Sequence, residues 1–331
     1  METPDTFIRS FKLQTHYKFR PNVVQQIDNW VDFVIQSKVK ELNLCCEQYR
    51  LPHYVLNASS LTLLRLTDLN LEVPSLSTLT SLKVLYLESV KIDDKSFQNL
   101  ISGCPIIEDL HLDGFTFGDI DLAVSGTLKN LSLRHMNCID QWLKGVISRL
   151  PVLEKLTLYS YRMSNVSIHS NSLKSLFFYL SSRIDVTLRT PNLVCLDFGC
   201  YSNSIISIDA PNLVEAGLTL GDVSMKKSEF DGLVRFLSNL NCLKKMKLSV
   251  FSEQVLIFPK VVRKRNCPPL SNLKHLVVVI HTELTRKSEL LDALLWCAPS
   301  VKTPEIISQK KSPNRLRWYV LGHRIGTFVT Y

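Results

Sequence analysis

Three side chains, Asp109, His111 and Asp113, are spaced i, i+2 and i+4, the pattern that puts three oxygen and nitrogen donors on one side of an extended strand. Metal ligation is the chemistry such a trio suggests. Fully extended, however, the two carboxylates stand roughly 13 Å apart, at ~3.3 Å per residue, too wide for one ion without a bend. A solvated acidic face is the expectation, with no metal and no cofactor. Catalytic signatures are missing: the chain has no G-x-S-x-G, no phosphate-cradling glycine loop and no H-E-x-x-H. An enzyme is therefore not expected. Nine cysteines with no C-x-x-C pair argue against both a disulfide framework and a zinc ribbon, and read as small core hydrophobes. Lys260, Arg263, Lys264 and Arg265, then Lys310, Lys311, Arg315 and Arg317 beside Trp318 and Tyr319, mix positive charge with aromatics. Such tracts can hold phosphate backbones or serve as a nuclear import signal, but a solvated charged surface is the commoner outcome, so nucleic acid is not the expected partner.

The elements that position these residues come from a repeat. Of 331 residues, 45% are apolar and 53 are Leu, enough for a large core. At this length two domains or an elongated repeat array are expected. The phrase L-x-x-L-x-L, with conservative exchanges, recurs eleven times, starting at Val39, Leu61, Leu82, Ile107, Leu128, Leu153, Leu173, Leu193, Leu213, Leu243 and Leu273. Successive starts are 20 to 30 residues apart. In a short strand the fourth and sixth residues of the phrase face the same core, and the first enters it from the preceding turn. One unit cannot cover its own apolar face, so neighbours stack and their strands pair in parallel, which spacings of this size allow. The fold expected is an α/β leucine-rich-repeat solenoid, with a curved parallel sheet on the concave side and helices and irregular turns on the convex side.

Amphipathic spacers predict helices at 95–102, 139–150, 228–239 and 288–297, and a capping helix over 23–36. The twenty-residue repeats from 173 to 218 lack room for much helix, so extended or single-turn segments are expected there. Leucine-rich repeats usually place Asn or Cys three residues after the last Leu of the phrase; here Val90, Phe115, Met136 and Tyr161 stand at that position. The turns must satisfy their backbone groups otherwise, and a less regular spiral is expected. The organisation read from the chain is an N-terminal capping segment (1–38), a solenoid (39–300) and a basic C-terminal tail (301–331).

The longest aliphatic run, Leu276–Ile280, is far short of a membrane span, and the opening Met1-Glu-Thr-Pro-Asp is unlike a signal peptide. A protein of the nucleus or cytoplasm, without a membrane, is expected.

Several phrases resemble those of the plant F-box/leucine-rich-repeat family and its FBD-bearing relatives. They include Val39-Lys-Glu-Leu-Asn-Leu, Ser81-Leu-Lys-Val-Leu-Tyr-Leu, Gly103-Cys-Pro-x-Ile-Glu-Asp-Leu-His-Leu, Cys267-Pro-x-Leu-x-Asn-Leu-Lys-His-Leu and Leu290-Leu-Asp-Ala-Leu-Leu-Trp-Cys. The resemblance implies the substrate-recognition part of an SCF-type cullin ubiquitin ligase. No F-box is seen, because Phe7–Leu13 and the helix after it resemble the segment that follows one, so docking of a Skp-type adaptor is not expected. The alternative is an F-box-less scaffold or competitor; a sensor of small hormone-like molecules, as some relatives are, would need a pocket lined from several rungs. Whichever holds, the partner is expected on the concave face, through Tyr86, His111, Arg134, Tyr159, Phe177 and Tyr179. Aromatic and Arg side chains are the usual anchors of binding energy.

Overall fold

Alternation inside each phrase decides the sheet. The structure is a computed structural model. It describes residues 8–308, apart from 16–20, 74, 76, 116–119, 123–125, 137–139, 161–164, 181–184, 201–204, 222–224 and 241. The third to seventh residues of the phrases form strands β2 (Glu41–Cys46), β3 (Leu63–Thr67), β4 (Val84–Glu88), β5 (Asp109–Asp113) and β6 (Asn130–Arg134). The series continues with β7 (Lys155–Ser160), β9 (Ser175–Leu180), β11 (Cys195–Cys200), β13 (Glu215–Leu220), β14 (Lys245–Val250) and β15 (His275–Ile280). With β1 (Ser10–Thr15) and β16 (Glu305–Ser308) at the two edges, these make a thirteen-stranded sheet among the described residues. Every neighbouring pair is parallel. No barrel closes. The sheet therefore runs past residues 39–300 at both ends, into the expected cap and the expected tail. SFKLQT and EIIS carry the inward-outward alternation without the leucine phrase that would announce it.

Register turns the repeat into a core. Leu42, Leu64, Leu85, Leu110, Leu131, Leu156, Leu176 and Leu196 align across successive strands, and Leu44, Leu66, Leu87, Leu112, Leu133, Leu158, Phe178 and Phe198 form a second row. All are buried, as is the leading residue of every phrase, from Val39 to Leu273. Burying each such side chain contributes about 1.5–3 kcal/mol, and each also fills the space left by its neighbours.

The other side of the core changes character along the chain. Helices α1 (Pro21–Gln36), α2 (Asp94–Ser102), α3 (Asp140–Ser148), α4 (Lys227–Ser238) and α6 (Lys287–Cys297) follow the expected spacers closely. Asp93 starts α2 by accepting the Ser96 backbone N–H at 2.9 Å. A sixth helix, α5 (Lys260–Arg265), had no apolar rhythm to announce it. The twenty-residue repeats place strands there instead: β8 (Asn165–His169), β10 (Asp185–Arg189) and β12 (Ile205–Asp209) form a second parallel sheet. Val166, Ile168, Val186 and Leu188 turn inward from it.

The turns solve the problem set by their missing Asn or Cys. Val90, Phe115 and Met136 are buried, while Tyr161 lies outside the described residues. Left-handed residues stand just after the strands: Asp68 (φ 57°), Ser89 (φ 52°), Gly114 (φ 80°) and His135 (φ 49°). Their N–H groups donate to Glu88, Asp113, Arg134 and Tyr159 carbonyls of the next rung, at 2.9–3.0 Å. The backbone ladder thus continues through the turn. On the opposite edge, Asn192 and Asn212 of the twenty-residue repeats donate side-chain N–H groups to the Asn171 and Pro191 carbonyls.

Candidate partner-binding face

With the fourth and sixth residues inside, the third, fifth and seventh residues of each phrase share the opposite face of the large sheet. All six expected side chains stand on that face, half-buried against one another. The structure brings them together in two groups. On β4 and β5, Tyr86 stacks on His111 with ring centroids 3.8 Å apart and planes within 15°. Arg65 of β3 lies over the other side of Tyr86, 3.9 Å from its centroid. Burial pushes the His111 imidazole down to about 4, and the positive charges of Arg65, Lys155 and Arg134 add to this against the opposing pull of Asp109.

Further along, Arg134 of β6 lies 4.9 Å from the centroid of Tyr159, which stacks in turn on Tyr179 at 4.8 Å. Phe177 joins this group through Lys155, whose ammonium stands 5.2 Å from its centroid. The Tyr179 hydroxyl is pushed well above its usual range by burial and by the charge of Asp197, with which it is hydrogen-bonded. Burial raises the Asp197 carboxyl in turn, against the pull of that hydrogen bond and of Lys247.

Two glycines make this packing possible. A Cβ on Gly199 would come within 2.8 Å of the Tyr179 ring, and one on Gly217 within 2.7 Å of the Asp197 carboxylate. Tyr179 and Asp197 lean into the spaces their neighbours leave. Arg65, Lys155, Asp197, Gly199 and Gly217 therefore belong to the face as much as the six expected residues. The phrase positions alone place all five on this face, as third, fifth or seventh residues; what they leave open is which of them pack together.

The trio on β5 disperses to different partners. Asp109 accepts from the Asn130 amide, His111 stacks on Tyr86, and Asp113 pairs with His135 Nδ1 at 2.6 Å. Among the described residues no three His, Cys, Asp or Glu side chains converge as metal ligands. No helix among them is long and apolar enough to cross a membrane. Cys46, Cys104 and Cys297 are buried, with burial pushing their thiols up to about 11, 12 and 12. Cys45 and Cys195 are partly exposed, and Cys267 is exposed. The core reading of the cysteines thus holds for only some of them.

A parallel sheet built from stacked L-x-x-L-x-L rungs, with its polar and aromatic face outward, is a leucine-rich-repeat solenoid. Residues 27–125 match the leucine-rich-repeat region of the FBD-associated F-box protein At5g56370 family. Relatives in Arabidopsis thaliana carry the same names. The chain is 33% identical over 169 residues to the F-box/LRR-repeat protein At3g44810, covering 46% of this chain and 38% of that one. It is 30% identical over 178 residues to F-box/FBD/LRR-repeat protein At1g78750, covering 51% of this chain and 37% of the relative. With F-box/LRR-repeat protein 25 it shares 27% identity over 156 residues, covering 46% and 59%. The chain thus spans less than two thirds of each of these relatives. The plant F-box/FBD leucine-rich-repeat family is the one the repeat phrases resemble, and the comparisons support that resemblance.

Proposed function

We propose that this chain is a protein-recognition module whose outward sheet face holds a partner destined for ubiquitination, as the substrate-receptor part of a cullin-type ligase. The observation that carries the reading is the run of stacked aromatic and Arg side chains across β6 to β9. Arg134, Tyr159 and Tyr179 form one continuous half-exposed ledge with Phe177 beside it. Tyr and Arg side chains are enriched among the few residues that carry most of the energy in protein interfaces. The names of the relatives, which pair an F-box with leucine-rich repeats, supply the link to the ligase.

The test places a photo-crosslinking amino acid at Phe177 in plant cells and identifies what it captures. A protein captured there should be lost in the Tyr159→Ala/Tyr179→Ala variant, and its abundance should rise when that variant replaces the natural chain. Capture that survives the double substitution refutes the face as the docking site. Co-purification of a Skp-type adaptor separates the ligase receptor from a scaffold that binds the same partner without recruiting a ligase. The nucleus or cytoplasm is the compartment this function requires, and imaging of a tagged chain checks it.

A further inference from the structure

Between the two aromatic groups the outward face drops to a floor of small side chains. Ser132 on β6 and Thr157 on β7 stand opposite each other in register, with His111 on one side and Phe177 on the other. Ser132 is buried and Thr157 half-buried. Among the described residues neither hydroxyl has a hydrogen-bond partner. Neither oxygen is among the buried polar atoms left unsatisfied, so water reaches both, and an incoming acceptor would exchange with that water.

Charge around this floor is arranged unevenly. Lys155 and Arg134 stand diagonally across it, each two residues along its strand from Thr157 and Ser132 respectively. Lys155 rests on the Phe177 ring, and Arg65, beyond the His111 wall, rests on Tyr86. Among the described residues neither Lys155 nor Arg65 is in an ion pair. The nearest acids are engaged within the chain: Asp109 with Asn130, Asp113 with His135, and Asp197 with Tyr179.

We propose that this floor is a carboxylate subsite, in which an Asp or Glu side chain of an acidic peptide segment accepts hydrogen bonds from the Ser132 and Thr157 hydroxyls between Lys155 and Arg134. The inference rests on the reading that this face holds a protein, and adds which kind. Two observations favour a peptide over a nucleic acid. Both faces of Tyr86 are covered, by Arg65 and His111, and both faces of Tyr159, by Arg134 and Tyr179, so neither of these two rings is open for a base to stack on. Asp109 and Asp113 on the adjacent strand repel any anionic chain, and more strongly one with a phosphate at every nucleotide than one with a carboxylate at every second residue.

Fluorescence polarisation on the full chain tests this with three labelled probes: a (Glu-Ala)8 peptide, a (Lys-Ala)8 peptide and a sixteen-nucleotide oligothymidine. The acidic peptide should bind, and the basic one should not. Lys155→Gln should weaken binding about tenfold, as expected for losing a charge-assisted contact, and Thr157→Val should weaken it several-fold. Lys155→Arg should retain it, and Lys264→Gln on α5 should leave it unchanged. Circular dichroism confirms that each variant is folded. The proposal fails if the acidic peptide does not bind, if Lys155→Gln leaves binding unaltered, or if oligothymidine binds more tightly through the same residues. Crosslinking at Phe177 keeps the two readings apart. A captured protein whose yield is insensitive to Lys155→Gln overturns the carboxylate subsite alone, whereas absence of any captured protein overturns the docking face itself.

Discussion

His111 is held neutral where its neighbours are charged, and this gives it a measurable signature. Its imidazole sits at about 4 in the folded chain against 6.5 for the free side chain. Between those values the unfolded chain binds more protons, so the folded state should lose stability as pH falls through that window and be indifferent to this group above it. Urea denaturation across the range should show the loss, and His111→Phe, which keeps a ring against Tyr86, should flatten that part of the profile. Gly199→Ala puts a methyl against Tyr179 and should move that ring off Tyr159. The expected result is weaker partner capture at a stability cost of about 1–3 kcal/mol, read by crosslinking yield and denaturation. The six expected residues of this face were legible because the phrase period fixes which way each side chain points. Their pairing was not: which neighbour a Tyr or Arg leans on depends on the space the next rung leaves, and Gly199 and Gly217 decide that from a strand away.

At the scale of single elements, α2 depends on one close approach. The Ser77 carbonyl and hydroxyl both stand 2.1 Å from where a Cβ on Gly103 would lie, at the end of that helix. Gly103→Ala should cost at least 1–3 kcal/mol, and Ser77→Gly should rescue it only partly, because the carbonyl remains. Gly114→Ala meets no clash but must adopt φ +80°, and should cost about 1–2 kcal/mol in thermal or urea unfolding. The amphipathic spacers revealed five helices and the twenty-residue spacing revealed where helix gives way to extended chain. Strands β1 and β16 escaped because their inward residues, Phe11, Leu13 and Ile306, are only partly buried edge positions outside the leucine phrase. Helix α5 escaped because KVVRKR offers one buried side chain, Val262, too few to mark a face.

Across the whole molecule each rung packs chiefly on the rungs beside it. Leu64 on β3 and Leu248 on β14 are buried in the same kind of row, eight strand spacings apart in the sheet order, roughly 38 Å at ~4.8 Å each. Each Leu→Ala should cost about 2–5 kcal/mol, and the double variant should equal the sum within about 0.5 kcal/mol, measured by urea denaturation. Leu64→Ala with Leu85→Ala, adjacent in register, should depart from additivity instead. This architecture also frees one region from fixed length. Strands β7, β9, β11 and β13 begin at 155, 175, 195 and 215, and β8, β10 and β12 at 165, 185 and 205. Excising or duplicating a twenty-residue block here joins like to like on both sheets at once, so gene slippage could shorten or extend the recognition surface one strand width at a time without inventing a new fold.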